Sequence, residues 1–231
     1  MTLIIAKQCS NGVLLICDSA STPEVGAINN NAVKWLQGEW FGQSFALVFA
    51  GYAGNLDGIP TLDVIHTATS IAGRSLQNNL SNAIHDRLNN EVNEGDWTDD
   101  ATGAVDEPKR ARFASQERIA VFLSVRHNEW WIIDLTANHE NTFAQQPHTE
   151  MRITPGGTGP AFEELLAMCI HTPQSLREAT LTASAIFHRA SILFPNQVRF
   201  PGRIVFHKVD GVTTESFSNV GELLAASEQH G

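Results

Sequence analysis

The sequence contains few cysteines and no long apolar run. Its three cysteines, Cys9, Cys17 and Cys169, cannot all pair within one chain and form no C-x-x-C motif, so we expect reduced and mostly buried thiols. Because no stretch approaches 18 consecutive apolar residues, we expect no membrane span. The first 17 residues also lack the basic start of a secretory signal, so we expect a cytoplasmic protein.

Positive charge is scarce as well, with 15 lysines and arginines against 25 aspartates and glutamates and a net charge of −10. Such a chain repels a phosphate backbone, so nucleic acid is not an expected partner. The glycine-rich stretch 155–160 follows a predicted strand, but the sequence has no G-x-G-x-x-G or GK[ST] motif for nucleotide binding. The nine histidines show no zinc-binding spacing, and we expect no metal and no cofactor.

What the sequence does contain is a regular order of strands, two helices, strands, two helices and strands. The stretches 13–17 and 45–50 are apolar throughout, which is typical of strands covered on both faces. Such strands, with paired helices between the strand groups, predict an α+β fold. We expect a four-layer αββα sandwich, with two sheets between two helix layers, as one domain over residues 1–231.

Helical periodicity is clearest over 76–92, where an apolar residue recurs every four positions. A later helix is predicted to bury Phe162, Leu165, Leu166 and Cys169 on one face, and the next begins with a capping-box pattern at Ser175 and Glu178. The stretch 91–107 carries seven carboxylates without periodicity and predicts a solvated acidic loop. The tail, 225–231, is predicted to fray.

Thr2 is a candidate nucleophile because it follows Met1. Removal of Met1 would leave Thr2 with a free α-amine, which can act as the general base for its own hydroxyl. An unperturbed α-amine has a pKa of about 7.7–8.0, and a neighbouring cation would lower it further. A threonine at position 2 is common, however, so this feature alone is weak evidence for catalysis.

Two charged residues follow Thr2 at successive intervals of sixteen positions. Asp18 ends the second predicted strand, and a hairpin turned at Asn11-Gly12 would bring it back towards Thr2. Lys34 is flanked by apolar residues, where a lysine is rarely buried without a partner. The simpler interpretations are an Asx turn at Asp18 and an outward, solvated side chain at Lys34.

Thr2, Asp18 and Lys34, with their spacing, resemble the Thr–Asp–Lys constellation of proteasome β-type subunits, which are N-terminal-nucleophile hydrolases. The stretch 12–22, GVLLICDSAST, resembles the family's strand ending in Asp-Ser, and 50–54, AGYAG, resembles its oxyanion-hole turn. Gly-Gly-Thr-Gly at 156–159 resembles the Gly-Ser-Gly before the third helix, and Asp210-Gly211 matches the terminal hairpin. The resemblance runs from Thr2 to about residue 215.

The resemblance implies a threonine-type endopeptidase in which Thr2 is the nucleophile and its amine the base. Lys34 would lower the pKa of the amine, and Asp18 would hold Lys34 charged and in place. The N–H of Gly51 would face the developing oxyanion. Thr158, which stands where the family has serine, would support the Thr2 amine.

The same resemblance implies where and how a substrate would bind. Thr22 and Ala53 would pair with the substrate backbone as an added strand, and Phe49 would lie at the base of the S1 pocket. The implied partners are unfolded peptides or proteins and further copies of the chain, in two stacked rings of seven or of six. A separate AAA+ unfoldase of unknown identity would be needed for ATP-driven unfolding, because the chain has no Walker motif.

Two features depart from the family's pattern. Proteasome β subunits usually carry an aspartate near the end of the fourth helix, whereas the stretch 188–193 has no acid and presents Ala190 or Ser191 there. The acidic stretch 91–107 also looks longer than its counterpart in the bacterial HslV type. The short N-terminus and the helix over 172–191 otherwise resemble that type, so we expect the divergent betaproteobacterial proteasome-homologue branch.

Two other functions are compatible with the same residues. A non-catalytic, ring-forming scaffold is favoured by the missing acid at the helix end and disfavoured by the presence of Thr2, Asp18 and Lys34 together. An N-terminal-nucleophile amidase acting on one small amide would need the same nucleophile and base.

Overall fold

A computed structural model describes residues 3–19, 33–51, 61–73, 75–99, 101–116, 118–138, 143–146, 149–154, 159–195 and 197–230. The strands in these residues are β1 (Ile4–Cys9), β2 (Gly12–Asp18), β3 (Trp35–Trp40), β4 (Gln43–Gly51), β5 (Ile119–Val125), β6 (Trp130–Leu135), β7 (Phe143–Gln145), β8 (Met151–Thr154), β9 (Gly202–Lys208) and β10 (Gly211–Phe217). The helices are α1 (Thr61–Ser70), α2 (Leu76–Glu94), α3 (Glu107–Gln116), α4 (Pro160–Ala167), α5 (Leu176–Leu193) and α6 (Val220–His230).

The strands form two five-stranded sheets, in the order β10-β9-β2-β1-β8 and in the order β3-β4-β5-β6-β7. In the first sheet β1 and β2 form the predicted antiparallel hairpin, which pairs Ile4 with Cys17 and Cys9 with Gly12. The β9–β10 hairpin at Asp210-Gly211 is also present as predicted, and β5 and β6 are neighbours in the second sheet. Two sheets accompanied by helices confirm the α+β class.

The chain divides into two compact units. The first contains Met1–Ala50, Val121–Ile132 and Gln145–Gly231, and the second contains Gly51–Ala120 and Ile133–Ala144. Among the described residues, no helix is both long enough and apolar enough to cross a membrane.

Two hydrophobic cores lie on opposite faces of the first sheet, within the first unit. Successive side chains of a strand point to opposite faces, so β1 directs Ile5 into one core and Ile4 and Ala6 into the other. The Ile5 core contains residues of α4, α5 and α6, such as Phe187. The Ile4 core contains residues of the second sheet, such as Val48. This burial on both faces explains why 13–17 is apolar throughout, as predicted.

A fully buried histidine joins the two sheets in the first unit. His207 of β9 has its Nε2 2.8 Å from the Ser44 hydroxyl of β4 and its Nδ1 2.9 Å from the Ser124 hydroxyl of β5. The Ser124 hydroxyl also donates to the Arg126 carbonyl at 3.4 Å, which favours an Nδ1–H that donates to Ser124 and an Nε2 that accepts from Ser44. Burial, and then His127, lower the pKa of His207 to about 4, so the imidazole is neutral at pH 7.

In the second unit, α2 buries the predicted stripe of Leu76, Leu80, Ile84 and Leu88. The solvated acidic loop predicted for 91–107 is wrong in part. Residues 91–94 belong to α2, Thr98 and Val105 form a β-bridge, and Asp106 accepts a hydrogen bond from the Lys109 N–H at the start of α3. The helix α3 escaped prediction because its apolar stripe is short, with only Phe113 and Ala114 buried among its described side chains.

Two local predictions are corrected and one is confirmed. Leu166 is 44% exposed, because α4 ends at Ala167 and turns only Phe162 and Leu165 into the core. The described part of the tail is helical rather than irregular, since α6 extends to His230 and buries Leu223 and Ala226 against the helix–sheet core. The capping box at Ser175 and Glu178 is present in both directions.

The docked tail gives a test by substitution. Leu223→Ala should lower the free energy of unfolding by about 2–5 kcal/mol, because it opens a cavity in the core. The adjacent Leu224 is 37% exposed, so Leu224→Ala should cost about 1 kcal/mol or less. Urea denaturation of both variants measures the difference, and equal losses would mean that α6 does not pack on the core.

The buried histidine gives a test by pH. The unfolded chain takes up a proton near pH 6.5 and the folded chain near 4, so stability should be full above pH 6.5 and should fall as the pH is lowered towards 4. The loss attributable to His207 should be about 3 kcal/mol. Urea midpoints between pH 7 and 4 should fall less steeply for His207→Gln, whereas the exposed His188→Gln should keep the wild-type slope. Identical slopes for all three proteins would exclude a buried neutral His207.

Candidate functional site

The β1–β2 register brings Asp18 opposite residue 3. The Asp18 N–H donates to the Leu3 carbonyl at 3.1 Å, and the Leu3 N–H donates to Oδ1 of Asp18 at 3.1 Å. The Asp18 side chain is fully buried. The Asx turn considered for Asp18 would involve Ala20, which lies outside the described residues, so that interpretation is not tested. The carboxylate is held against the backbone of the residue that follows Thr2 in the sequence.

Lys34 reaches the same carboxylate oxygen. Its Nζ lies 3.2 Å from Oδ1 of Asp18, and the residue is only 6% exposed. Lys34 directly precedes β3, and its carbonyl accepts a hydrogen bond from the Phe49 N–H of β4 at 3.0 Å. A solvated Lys34 is thus excluded, and the predicted proximity of Asp18 and Lys34 is found.

Burial dominates the electrostatics of this pair. Desolvation lowers the pKa of Lys34, and the charge and hydrogen bond of Asp18 oppose that shift. A buried ion pair contributes little net stability compared with apolar residues of similar volume, but loss of one partner leaves an expensive buried charge. The charge and the hydrogen bond of Asp18 therefore favour the protonated form of Lys34 against the effect of burial.

The two predicted residues of β4 have different surroundings. Phe49 is buried, and its backbone is bonded to Lys34. Gly51 ends β4, in the second unit, with φ +127°, and a Cβ there would lie 1.9 Å from the Arg118 carbonyl oxygen. This close approach of two backbones requires glycine whatever the role of the Gly51 N–H. The S1 role of Phe49 and the oxyanion role of Gly51 stay predictions.

Four predicted site residues lie outside the described residues: Thr2, Thr22, Ala53 and Thr158. Of the glycine motif before α4, the structure describes Gly159, which is the residue preceding the helix and has φ +111°. The roles of these four residues therefore stay predictions.

The end of α5 shows what stands where proteasome subunits have an acid. Ala190 is fully buried in the helix–sheet core. The hydroxyl of Ser191 donates to the His188 carbonyl of its own helix at 2.8 Å. Ser191 therefore uses its proton within the helix, and any hydrogen-bond network at this point differs from one built on a carboxylate.

A second buried lysine was not singled out by the sequence analysis. Lys7 is fully buried in β1, and its ammonium donates to the carbonyl oxygens of Thr149, of Ile170 at 2.8 Å and of Thr172 at 2.9 Å. Desolvation lowers its pKa, and the nearest ionisable groups oppose the shift. The available signal was a lysine within an apolar strand, which is the same signal that pointed to Lys34.

The cysteines are buried, as expected. Burial is the main cause that raises the pKa of Cys9 and of Cys17 to about 12 and that of Cys169 to about 11. A nucleophilic cysteine needs the thiolate form near neutral pH. These thiols are therefore poor candidates for catalysis.

Comparison with known proteins identifies the fold. No protein-family model and no curated protein matches the sequence. Anbu from Hyphomicrobium sp. strain MC1 aligns with 98% of this chain and 94% of its own, with a TM-score of 0.61 and 15% identity. Anbu (ancestral beta-subunit) from Yersinia bercovieri aligns with 98% of this chain and 93% of its own, with a TM-score of 0.60 and 11% identity. A chain of the helical assembly of the Anbu complex from Pseudomonas aeruginosa aligns with 98% of this chain and 91% of its own, with a TM-score of 0.61 and 11% identity.

These matches show that the chain has the fold of the Anbu proteins over nearly its whole length. The expected HslV-like, betaproteobacterial branch is wrong, because these similar structures are Anbu proteins, which are proteasome-like but form a distinct family. Segment lengths and a short N-terminus, on which that expectation rested, do not distinguish branches that share one fold. The broader likeness to proteasome subunits is retained.

The Asp18–Lys34 pair can be tested through stability. Lys34→Met should lower the free energy of unfolding by about 3–5 kcal/mol, because it removes the ammonium partner of a buried carboxylate. The double variant Asp18→Leu with Lys34→Met should be less destabilised than the sum of the two single variants. Chemical denaturation of the four proteins in this cycle measures the coupling.

The control for this cycle is a solvent-exposed ion pair. Arg189 and Glu164 form such a pair at 2.6 Å, and Arg189→Met should change stability little. A Lys34→Met variant as stable as the Arg189→Met variant would show that the Asp18 carboxylate does not depend on Lys34.

Proposed function

We propose that this chain is a self-assembling threonine-type peptidase subunit of the N-terminal-nucleophile hydrolase class, a single αββα domain with Thr2 as its nucleophile. The observation that carries the proposal is the buried Asp18–Lys34 pair, bonded to the N–H of Leu3. A buried ion pair is a poor way to stabilise a core, so its occurrence beside the residue that follows Thr2 favours a chemical role. The proteasome-like fold supports the same conclusion.

In the proposed reaction, the Thr2 hydroxyl attacks the carbonyl carbon of a peptide bond. The free α-amine of Thr2 takes the hydroxyl proton and passes it to the leaving amine, so that a Thr2 ester and the first product form. Water then hydrolyses the ester with the same amine as base. The mechanism requires that whatever precedes Thr2 be removed, because a peptide bond at its nitrogen would leave no base.

Lys34 is proposed to tune this base. An ammonium close to the Thr2 amine disfavours a second positive charge, which lowers the pKa of the amine and keeps more of it neutral near pH 7. The effect is stronger in a buried site than in water, because screening by solvent is weak. Asp18 acts through Lys34, since the paired carboxylate keeps the buried lysine protonated.

The remaining roles follow the family's pattern. We assign the oxyanion contact to the N–H of Gly51, support of the Thr2 amine to Thr158 and substrate backbone pairing to Thr22 and Ala53. Phe49 is assigned to the base of the S1 pocket. No acid from the end of α5 takes part, because that position offers only the buried Ala190 and the internally bonded Ser191.

Self-assembly belongs to the proposal because a peptidase of this class is confined by its own oligomer. The Pseudomonas aeruginosa relative is described as a helical assembly. Head-to-tail contacts give a closed ring when the rotation between neighbours closes and a helix when it does not. The expected stacked rings of seven or six subunits and an open helical arrangement are therefore two results of one kind of contact.

A non-catalytic scaffold is the second candidate function. It is favoured by the missing carboxylate at the end of α5, where Ala190 is buried and Ser191 bonds within its helix. Under this proposal the buried Asp18–Lys34 pair would only hold the start of β1 in place. The two candidates differ in whether Thr2 reacts.

Covalent labelling of Thr2 distinguishes the candidates. A peptide epoxyketone needs a hydroxyl and an adjacent free amine, so it should add to protein with Thr2 at its N-terminus and not to Thr2→Ala. Protein that retains Met1 should also stay unlabelled. Lys34→Arg keeps a cation and should retain measurable labelling, whereas Lys34→Met should react about tenfold more slowly at pH 7 for each unit by which the amine pKa rises.

Intact mass spectrometry and peptide mapping locate the adduct. Circular dichroism of each variant separates loss of reactivity from loss of fold, and the double variant Asp18→Leu with Lys34→Met provides a protein without the buried pair. Folded protein with a free Thr2 amine that forms no adduct would refute the catalytic proposal in favour of the scaffold. Cleavage of one small amide without cleavage of any peptide in a panel would identify an amidase.

A further inference from the structure

Four hairpin turns lie together at one end of the first unit: Ser10-Asn11, Phe41-Gly42, 126–128 and Val209-Asp210. We refer to these turns as the hairpin end. The Arg126 N–H donates to the Ser44 carbonyl at 3.2 Å, and the Gln8 side chain donates to the Asn128 carbonyl. His207, one residue before the last position of β9, bonds to the hydroxyls of Ser44 and Ser124 beneath the turns. Hydrogen bonds therefore connect the strands and turns at the hairpin end to one another.

The turn at Phe41 is built from an unfavourable residue. Phe41 has φ +50° and Gly42 has φ +72°, as in a type I′ turn, where asparagine or aspartate before glycine is preferred. The Phe41 side chain is 69% exposed, with its ring edge-on to that of Trp40 at 4.8 Å. Within the described residues, the non-glycine residues with positive φ are Phe41 and Arg126, and both belong to the hairpin end.

A cavity of about 330 Å³ opens beside these turns. Its lining includes Gln8, Cys9, Gly12, His127 and Pro173 and, among the described residues, contains no aspartate, glutamate, lysine or arginine. The cavity is at the small end of the usual range for ligand pockets, which suits a single large side chain. Glycine at position 12 allows this wall of the cavity to lie close to β9, because a Cβ at Gly12 would be only 2.6 Å from the His207 carbonyl oxygen.

The charge at this end favours a second copy of the chain as occupant. Two copies of a chain with net charge −10 repel each other over most of their surfaces. The four turns of the hairpin end are balanced in charge, since they contain one basic residue, Arg126, and one acidic residue, Asp210. Val209, which is 80% exposed, adds a second apolar side chain to the surface.

We propose that two copies associate through their hairpin ends in an isologous contact, in which Phe41 of each copy enters the cavity of the other. A protruding ring and a neutral cavity on the same face are self-complementary under a two-fold rotation. Burial of the two exposed aromatic rings in such a contact compensates for the unfavourable turn. This contact goes beyond the peptidase proposal and does not depend on it.

The proposal predicts opposite effects of one substitution on folding and on association. Phe41→Asn creates the Asn-Gly pair that a type I′ turn prefers, so the Tm of dilute protein should rise, by about 2–4 °C for each kcal/mol gained. Two-fold pairing, of single subunits or of the head-to-tail assemblies proposed above, should weaken by roughly tenfold or more in a sedimentation-velocity concentration series. Val105→Ser is the matched control, because Val105 is 57% exposed in the second unit and should leave association unchanged.

Cross-linking tests the reciprocal geometry directly. Phe41→Cys protein mixed with Ser10→Cys protein should give a disulfide-linked pair under mild oxidation, since Ser10 lies at the cavity. Because Cys9 lines the same cavity, both proteins should also carry Cys9→Ala. The buried Cys17 and Cys169 have raised pKa values and should not compete. Any of three results would overturn the proposal. They are a Phe41→Asn protein that pairs as strongly as wild type, absence of the cross-link between positions 41 and 10, and a wild-type protein that stays monomeric at about 100 times the concentration used for Tm. Failure of Thr2 to react with an epoxyketone would leave it untouched.

Discussion

The antiparallel pairing of β1 with β2 is the constraint on which the other features of the first unit depend. Both strands are buried on both faces, so their register cannot slip by one residue without exchanging the contents of two cores. That register fixes Asp18 opposite Leu3 at the open end of the hairpin. At the closed end, Asn11 accepts the Leu176 N–H at 2.8 Å and thereby ties the turn to the start of α5.

The two buried lysines show how one residue type serves different purposes on such a frame. Lys7 is satisfied by three carbonyl oxygens, which neutralise nothing but supply a hydrogen bond for each ammonium proton. Lys34 is instead paired with a carboxylate, so its charge is balanced and its position is fixed by the same aspartate that holds Leu3. A cation held by a carboxylate can be presented to a neighbouring group, whereas Lys7 is used to join the segments at Thr149, Ile170 and Thr172.

Sequence patterns predicted the parts of this fold in which local and tertiary requirements agree. The stripe of α2 and the capping box of α5 were found because periodicity and capping depend on residues a few positions apart. The helices α3 and α6 and the exposure of Leu166 were missed because they depend on distant packing. The Asp18–Lys34 pair was predicted through the family's spacing. The carbonyl groups that bind Lys7 lie more than 140 positions away along the chain, so they could not be predicted from the sequence near Lys7.

The hairpin turns of the first unit differ in backbone strain. The turns at Ser10-Asn11 and Val209-Asp210 contain residues that adopt ordinary turn conformations, and neither contains a non-glycine residue with positive φ. Phe41 and Arg126 do have positive φ, although glycine or asparagine would fit both positions at lower cost. A chain that uses favourable residues at two turns is capable of using them at the others. The strain at Phe41 and Arg126 is therefore a local cost that a contact made by these side chains would offset, and it falls where the exposed ring, the cavity and the balanced charge coincide.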